Sequence, residues 1–251
     1  MESGQRFSLF RYAAPHLFYP LAGRLAPWFA AAAVILTLVG LYLGFFVAPT
    51  DAVQGEVYRV IFIHVPAAWM SMFIYLIMAF WSAVGVVFKT RLSAMMAQAL
   101  APTGAMFCFV ALWTGALWGR PTWGAYWVWD ARLTSQLLLL FLYFGFIALT
   151  RAIEDPRRAD RAGAILALVG AVNVPIIYFS VKWWNTLHQG ASVSVKGSSM
   201  ASTMLTAMLI MTFAFWAYSF AAVFTRARAI IIERERNNDW VVESLQAEGG
   251  R

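Results

Sequence analysis

The chain has 251 residues, of which 61% are hydrophobic and only 12% are charged. Soluble domains carry about 25% charged residues, so this chain cannot cover its apolar surface with polar groups. The composition therefore excludes an ordinary soluble domain and indicates that lipid is the solvent. The formal net charge of +7 would suit nucleic-acid binding, but the basic residues lie between apolar runs and at the chain ends, which argues against that class.

The chain contains one cysteine, Cys108, in the middle of an apolar run. A single cysteine excludes a disulfide framework, a thiolate metal cluster and a covalent C-x-x-C-H haem site. The favoured interpretation of Cys108 is a small buried side chain.

Six stretches without Asp, Glu, Lys or Arg are long enough to cross a bilayer, which takes about 20 helical residues. Backbone groups in lipid must be paired within the segment, so these stretches are expected to be helices. The sequence therefore predicts an all-α integral membrane protein, a single six-span domain over residues 1–251. In the fifth stretch, Asn173 and Pro175 predict a kink. The predicted spans cover about residues 27–48, 62–88, 93–117, 133–150, 162–181 and 200–224.

The distribution of lysine and arginine predicts the orientation. Six spans put both termini on one side, which receives fourteen Lys and Arg residues, whereas the other side receives five. We therefore expect both termini to be cytoplasmic and three loops, near residues 51–59, 118–132 and 182–197, to lie on the outer face. The cytoplasmic tail, 226–251, is expected to be a mixed-charge helix whose basic residues face lipid head groups. The five outer cations are Arg59, Arg120, Arg132, Lys182 and Lys196.

The middle outer loop, 118–132, lies between the third and fourth spans and is rich in tryptophan. From Trp123 to Asp130 it reads Trp-Gly-Ala-Tyr-Trp-Val-Trp-Asp. One interpretation is an interfacial aromatic belt, because membrane proteins place tryptophan at both interfaces. If the stretch after the loop's proline is helical, Trp123, Trp127 and Asp130 share one face of an amphipathic interfacial helix. Such a flat aromatic surface suits a large planar hydrophobic ligand.

Two of the three histidines fall on the same predicted face as this loop. His64 is at the outer start of the second span, just before Pro66, which fits an early helical position. His188 is in the last outer loop, whereas His16 is in the cytoplasmic N-terminal segment. Either outer histidine alone is better explained as a hydrogen-bonded interfacial residue. Two that converge on an aromatic loop favour the axial ligands of a haem iron.

Haem carries two propionates, which need cations or hydrogen-bond donors. Arg59 and Arg132 flank His64 and the tryptophan loop closely, and a guanidinium matches a carboxylate better than an ammonium does. Asp130 is expected to cap or orient the loop. A zinc site stays open as an alternative to haem, because outer carboxylates could complete the two histidines. These carboxylates are Asp51, Glu56 and Asp130.

The run 123–130 matches the Trp-Gly-x-x-Trp-x-Trp-Asp signature, known as WWD, of cytochrome c maturation proteins. Among those, the chain resembles the CcmC family of haem-handling proteins over about residues 20–235. The resemblance extends to 59–67, which contains His64, and to 181–190, which contains His188. Larger proteins with the same signature have more spans and further histidines, which this sequence lacks.

This resemblance implies a haem-binding subunit of the bacterial inner membrane with its site on the periplasmic face. It implies that haem b is held between two histidines and presented to a periplasmic haem chaperone, CcmE-like, which becomes attached to a haem vinyl group through its own histidine. The implied partners are two ABC-transporter subunits, CcmA-like and CcmB-like, and a small single-span subunit, CcmD-like. Independent enzymatic activity is not expected and no catalytic residue is assigned. Carried over by position, the iron ligands are His64 and His188, the platform is Trp118, Trp123, Trp127, Trp129 and Asp130, and our choice for the propionates is Arg59 and Arg132.

Two other functions stay open on the residues alone. A transporter that moves haem or another solute through its own spans needs a polar route, yet the spans contain only Gln98, Gln136 and Asn173 as strongly polar side chains. A b-type cytochrome that transfers electrons favours histidines on facing helices within the bilayer, whereas this chain has one pair at the edge. Haem that leaves on addition of the chaperone would support delivery.

Overall fold

The structure is a computed structural model that describes residues 12–188, 190, 193–194 and 197–249. Four cations that contribute to the predicted charge asymmetry, Arg6, Arg11, Lys196 and Arg251, lie outside the described residues. Six helical stretches are long and apolar enough to cross a membrane, so the prediction of an all-α multi-pass membrane protein is confirmed. They are Pro15–Val47, Glu56–Phe88, Arg91–Trp123, Ala131–Ala152, Pro156–Trp183 and Ser202–Glu235.

Eight α-helices make up these stretches and the tail: α1 (Pro15–Tyr42), α2 (Ile61–Phe88), α3 (Arg91–Trp123), α4 (Ala131–Ala152), α5 (Pro156–Gly170), α6 (Asn173–Trp183), α7 (Ser202–Glu235) and α8 (Asp239–Gly249). A π-helical turn, Leu43–Val47, extends α1, and a 3-10 turn, Glu56–Val60, leads into α2. Before α7, the short strands β1 (Val193–Ser194) and β2 (Gly197–Ser198) pair antiparallel, with Val193 opposite Ser198.

The fifth span is broken where Asn173 and Pro175 predicted a kink. Helix α5 ends at Gly170 and α6 begins at Asn173. Proline has no backbone N–H, so the carbonyl of Ala171 has no partner four residues ahead. The Ala171 carbonyl accepts instead from the backbone N–H of Val174, at 3.1 Å. The Asn173 Nδ2 donates to the carbonyl of Ser135 in α4, at 2.9 Å, so α6 is tied to α4 at its start.

Three helices meet around one buried tyrosine. Gly104 of α3 faces the ring of Tyr143 of α4 so closely that a Cβ there would lie 2.2 Å from the phenol oxygen. The Tyr143 hydroxyl is buried and donates to the carbonyl of Ser71 in α2, at 2.7 Å. Because α2, α3 and α4 are packed this tightly, their outer ends form a fixed frame.

The basic residues at the end of α7 bond to protein. Arg226 donates to the carbonyl of Ala99 at 2.5 Å. Arg234 forms a bidentate pair with Asp160 at 2.7 Å. The guanidinium of Arg228 lies over an aromatic ring of α1, 4.2 Å from its centroid. Neighbouring helices therefore supply contacts for these three side chains, and the orientation of the tail cations toward lipid head groups stays a prediction.

Candidate functional site

A cavity lies between α2, α3 and α4, beside the loops that follow α3 and α6, and its empty space of about 710 Å³ includes open solvent. We call it the histidine cavity. It brings together six of the predicted site residues: His64, His188, Trp118, Trp123, Trp127 and Arg132.

His64 is held on the helical frame. It lies in the first turns of α2, is 9% exposed, and its Nδ1 is 3.1 Å from the hydroxyl of Thr114 in α3. That hydroxyl donates its single proton to the carbonyl of Val110 at 2.6 Å, so its oxygen accepts from Nδ1–H. The Nδ1 nitrogen is therefore the protonated one, and Nε2 carries the free lone pair that a metal requires.

Gly115 makes room for this imidazole. A Cβ at Gly115 would lie 2.9 Å from the Cε1 of His64, a distance that real Cβ contacts essentially never show. The absence of a side chain lets the backbone of α3 approach the ring, so Thr114 supplies the hydrogen bond and Gly115 the space. His64 is thus fixed in both tautomer and position.

His188 reaches the same cavity from a loop. It lies five residues beyond the end of α6, and its ring centroid is 6.2 Å from that of His64, with 32° between the ring planes. The ring of Trp123 contacts His188 edge-on at 6.2 Å. One imidazole therefore comes from a buried helix and the other from a partly exposed loop, and the two rings lie close together.

Asp130 joins the two outer loops. One carboxylate oxygen accepts from the backbone N–H of Leu133 at 2.8 Å and caps α4. The other accepts a hydrogen bond from the hydroxyl of Thr186, and the Thr186 oxygen accepts from the backbone N–H of His188 at 3.1 Å. Asp130 therefore caps a helix, as expected, and also holds the loop that carries His188.

The tryptophans of the platform are not equivalent. Trp118 contacts His64 edge-on at 5.6 Å and donates from its indole to Gln54 at 2.7 Å. Trp123 and Trp127 line the histidine cavity, whereas Trp129 is 77% exposed and does not. Trp129 meets Trp127 edge-on at 5.4 Å, so it extends the aromatic surface outward.

The expectation of a helix after Pro121 that carries Trp123, Trp127 and Asp130 on one face is wrong. Helix α3 continues through Pro121 and ends at Trp123, and residues 124–130 are not helical. Gly124 stops the helix because it adopts φ of +81°, a left-handed conformation that glycine tolerates, and its N–H bonds to the carbonyl of Arg120. The tryptophans therefore converge through the bend of the loop.

The two candidate arginines lie in different surroundings. Arg132 is at the start of α4, lines the histidine cavity and donates to the carbonyl of Ile177 at 3.3 Å. Arg59 pairs with Glu56 and donates to the carbonyls of Gly44 at 2.6 Å and Ala48 at 3.1 Å. It does not line the cavity, because its donors fasten the end of α1 to the start of α2.

Two of the three carboxylates that could complete a zinc site, Asp51 and Glu56, have partners of their own. Asp51 accepts from the backbone N–H groups of residues 53 and 54, and Glu56 pairs with Arg59. Among residues 12–188 and the described parts beyond, no group of three or more His, Cys, Asp and Glu could hold a metal ion. The arrangement gives the zinc alternative no support.

A larger cavity adjoins the first, with about 2500 Å³ of empty space that includes open solvent. The two share Trp118, Arg132 and His188. Its outer part is polar, and its deeper wall is lined by Trp69, Met72, Met204 and Met208. His188 therefore stands at the boundary between a narrow and a wide space.

Sequence reasoning did not select Thr114, Gly115 or Thr186, which position the histidines. Thr114 lies 50 residues from His64, and Thr186 lies 56 residues from Asp130. No spacing in the sequence pairs such distant residues. The proximity of Thr186 to His188 was the one available signal, and threonine is too common in loops for that to suffice.

Comparisons with known proteins show the family to which the chain is similar. The family model described as Heme exporter protein C matches residues 8–242. A protein named Heme exporter protein C from Bradyrhizobium diazoefficiens is 52% identical over 209 residues, which is 83% of this chain and 79% of the relative. The protein of the same name from Escherichia coli K12 is 45% identical over 242 residues, 96% of this chain and 98% of the relative.

A relative from the liverwort Marchantia polymorpha is 42% identical over 197 residues, 78% of this chain and 84% of the relative. Its name describes a ccmC-like mitochondrial protein of cytochrome c biosynthesis. With a family match over most of its length and several relatives above 40% identity, this chain belongs to the Heme exporter protein C family.

Proposed function

We propose that this protein binds haem b at the outer end of its helices and delivers it to a periplasmic haem chaperone during cytochrome c maturation. Membership of the Heme exporter protein C family supports the role in haem handling, and the name of the Marchantia relative supports the pathway. The bacterial inner membrane, with the site on the periplasmic side, is the location that this role requires.

The observation that carries the proposal is the separation of the two imidazoles. A metal–nitrogen bond of about 2.0 Å and about 1.2 Å from a ring nitrogen to its ring centre put two axial imidazoles roughly 6.4 Å apart. The centroids of His64 and His188 are 6.2 Å apart. This separation matches that of two imidazoles on one iron and supports His64 and His188 as the residues that would hold it.

The rest of the cavity also suits a planar dicarboxylate. The indole Nε1–H of Trp127 is buried and has no acceptor among the described residues, and a buried donor without an acceptor is costly. Arg132 brings a guanidinium to the same cavity. We assign propionate binding to Arg132, with Trp127 as a second donor, and we do not carry Arg59 forward because its donors are used elsewhere.

Delivery requires that the bound group be accessible from outside. Exposed aromatic side chains surround the site: Tyr126 is 58% exposed, Trp129 77% and Trp184 51%. Exposed aromatic patches of this kind mark protein interaction sites. We assign this rim to the haem chaperone, and the helices below to the transporter subunits and the small single-span subunit.

The test is a haem stain and absorbance spectrum of the purified protein beside His64→Ala and His188→Ala. Both variants should purify with little haem absorbance, because each lacks one axial ligand. His16→Ala is the matched control, since this histidine is exposed at the start of α1, and it should match the wild type. Wild-type haem content in both cavity variants would overturn the ligand assignment. Haem that stays bound when the chaperone is added, and only cycles between redox states, would overturn delivery.

A further inference from the structure

The loop that carries His188 meets the tryptophan loop through the ring contact of His188 with Trp123 and through the side chain of Thr186. Its hydroxyl donates to Asp130, and its oxygen accepts the backbone N–H of His188. Thr186 thus connects the cap of α4 to the backbone of the proposed iron ligand in two hydrogen bonds.

The side chains next to Thr186 in the loop are exposed. On either side of Thr186, Trp184 is 51% exposed and Leu187 is 53% exposed, so neither anchors the loop in the core. Thr186 itself is half-buried. Hydrogen bonds to charged groups are the stronger ones, so the bond to the Asp130 carboxylate is a main contribution to the position of this loop.

We propose that Thr186 is a positioning residue, a latch that closes on Asp130 to hold His188 over the iron and opens to free it. This inference rests on the proposed haem-binding function and goes beyond it, because it names how one ligand is released. His64, buried on the frame, keeps its position in both states. The cargo can therefore leave by loss of one ligand while α2, α3 and α4 keep their positions.

The geometry favours release on this side. His188 lines both the histidine cavity and the wider cavity, so it lies at their boundary. An imidazole that swings outward with its loop opens the way between two spaces that already exist. Withdrawal of His64 would instead require repacking against Gly115 and Thr114 of α3, where a Cβ would clash with the ring.

Three variants test the latch in the whole protein reconstituted in nanodiscs and loaded with haem. Thr186→Val keeps the shape but has no hydroxyl, Thr186→Ser keeps the hydroxyl, and Asp130→Asn keeps an oxygen for the Leu133 N–H while replacing the second acceptor. The measurements are the rate of haem transfer to excess apomyoglobin and the six-coordinate absorbance spectrum. Thr206→Val is the matched control, because its hydroxyl is exposed and bonds only within α7, to Ser202.

Thr186→Val and Asp130→Asn should each release haem faster, on the order of tenfold, with a shift toward a five-coordinate spectrum. Thr186→Ser and Thr206→Val should stay within about twofold of the wild type. The double variant should release haem no faster than Thr186→Val alone, because that change already removes the bond to Asp130 together with the acceptor for the His188 N–H. Additive effects, or a wild-type rate for Thr186→Val, would overturn the latch.

The latch and the proposed function can fail separately. If His64→Ala binds haem as well as the wild type in this assay, the ligand assignment itself fails. If His64→Ala loses haem while Thr186→Val and Asp130→Asn behave like the wild type, only the latch is wrong. A Thr186→Val protein that does not fold leaves Asp130→Asn and Thr186→Ser to decide, since both keep the cap of α4.

Discussion

The two histidines of the cavity are supported in opposite ways. His64 is buried on α2, bonded to Thr114 and packed against the backbone of α3. His188 lies on a loop beyond α6, where Thr186 and Asp130 supply the polar contacts. A storage site would bury both ligands, whereas a carrier needs one permanent and one releasable ligand. The difference between the two supports is therefore what the proposed delivery function requires.

The largest expected effect separates the two histidines by chemical rescue. Millimolar imidazole should restore a six-coordinate haem spectrum to His188→Ala, because that position opens onto the wider cavity. It should not restore the spectrum of His64→Ala, where the space is enclosed by α3. Absorbance titrations with imidazole measure this, and equal rescue of both variants would contradict the comparison.

A large effect is also expected from Gly115→Ala. The added methyl meets the His64 ring at 2.9 Å, and overpacking of this kind costs about 1–3 kcal/mol, or roughly 5–150-fold in haem affinity. Haem titration of the detergent-purified protein gives the affinity. Gly85→Ala in α2 is the control, because its Cβ would meet nothing closer than 3.6 Å. Unchanged affinity in Gly115→Ala would show that the ring is less tightly held than described.

Thr114→Val should weaken haem binding by about tenfold, since the partners of metal-ligating histidines typically contribute 10–100-fold. The variant keeps the shape of the side chain and loses the acceptor for the Nδ1–H of His64. Thr114→Ser should recover the affinity, and Thr212→Val, whose hydroxyl bonds only within α7, should not change it. A Thr114→Ser protein as weak as Thr114→Val would assign the loss to packing.

The smallest effect is expected at Trp129. Trp129→Ala should keep haem affinity within about twofold, because this side chain is 77% exposed and does not line the cavity. Trp127→Ala should lose several-fold, because it removes an aromatic wall and a buried donor. The same haem titration compares them. If Trp129→Ala lost more affinity than Trp127→Ala, the outer rim and not the cavity would hold the ligand.

The fold could be predicted from the sequence because the hydrophobicity of each segment, taken by itself, decides whether that segment forms a spanning helix. Stretches of apolar residues dictate helices in lipid, and the break near Asn173 followed from a proline without an N–H. The end of α3 was not predicted, because the proline at position 121 suggested an earlier end. A proline in the last turn removes one backbone hydrogen bond, and the helix tolerates that loss. Gly124, not Pro121, carries the stop signal.

The candidate site could be predicted only in part. The histidines and tryptophans are rare residue types in a recognisable pattern, so sequence alone singled them out. Arg59 was chosen for its place beside His64 in the chain, but its side chain turns toward the end of α1. Thr114 and Thr186 act across more than 50 residues, and such contacts depend on tertiary packing that local patterns do not encode.

The broken fifth span gives the His188 loop a pivot. No continuous helix joins α5 to α6, and the turn between them keeps two short-range backbone hydrogen bonds, from the Val172 N–H to the Val169 carbonyl and from the Val174 N–H to the Ala171 carbonyl. Helix α6, with its 11 residues, is about 16 Å long, and a rotation of about 10° at its inner end would move its tip by roughly 3 Å. That displacement exceeds the length of an iron–nitrogen bond. A tilt of this size in α6, resisted by the Asn173 bond to α4, would thus be enough to engage or disengage a ligand while α5 keeps its position.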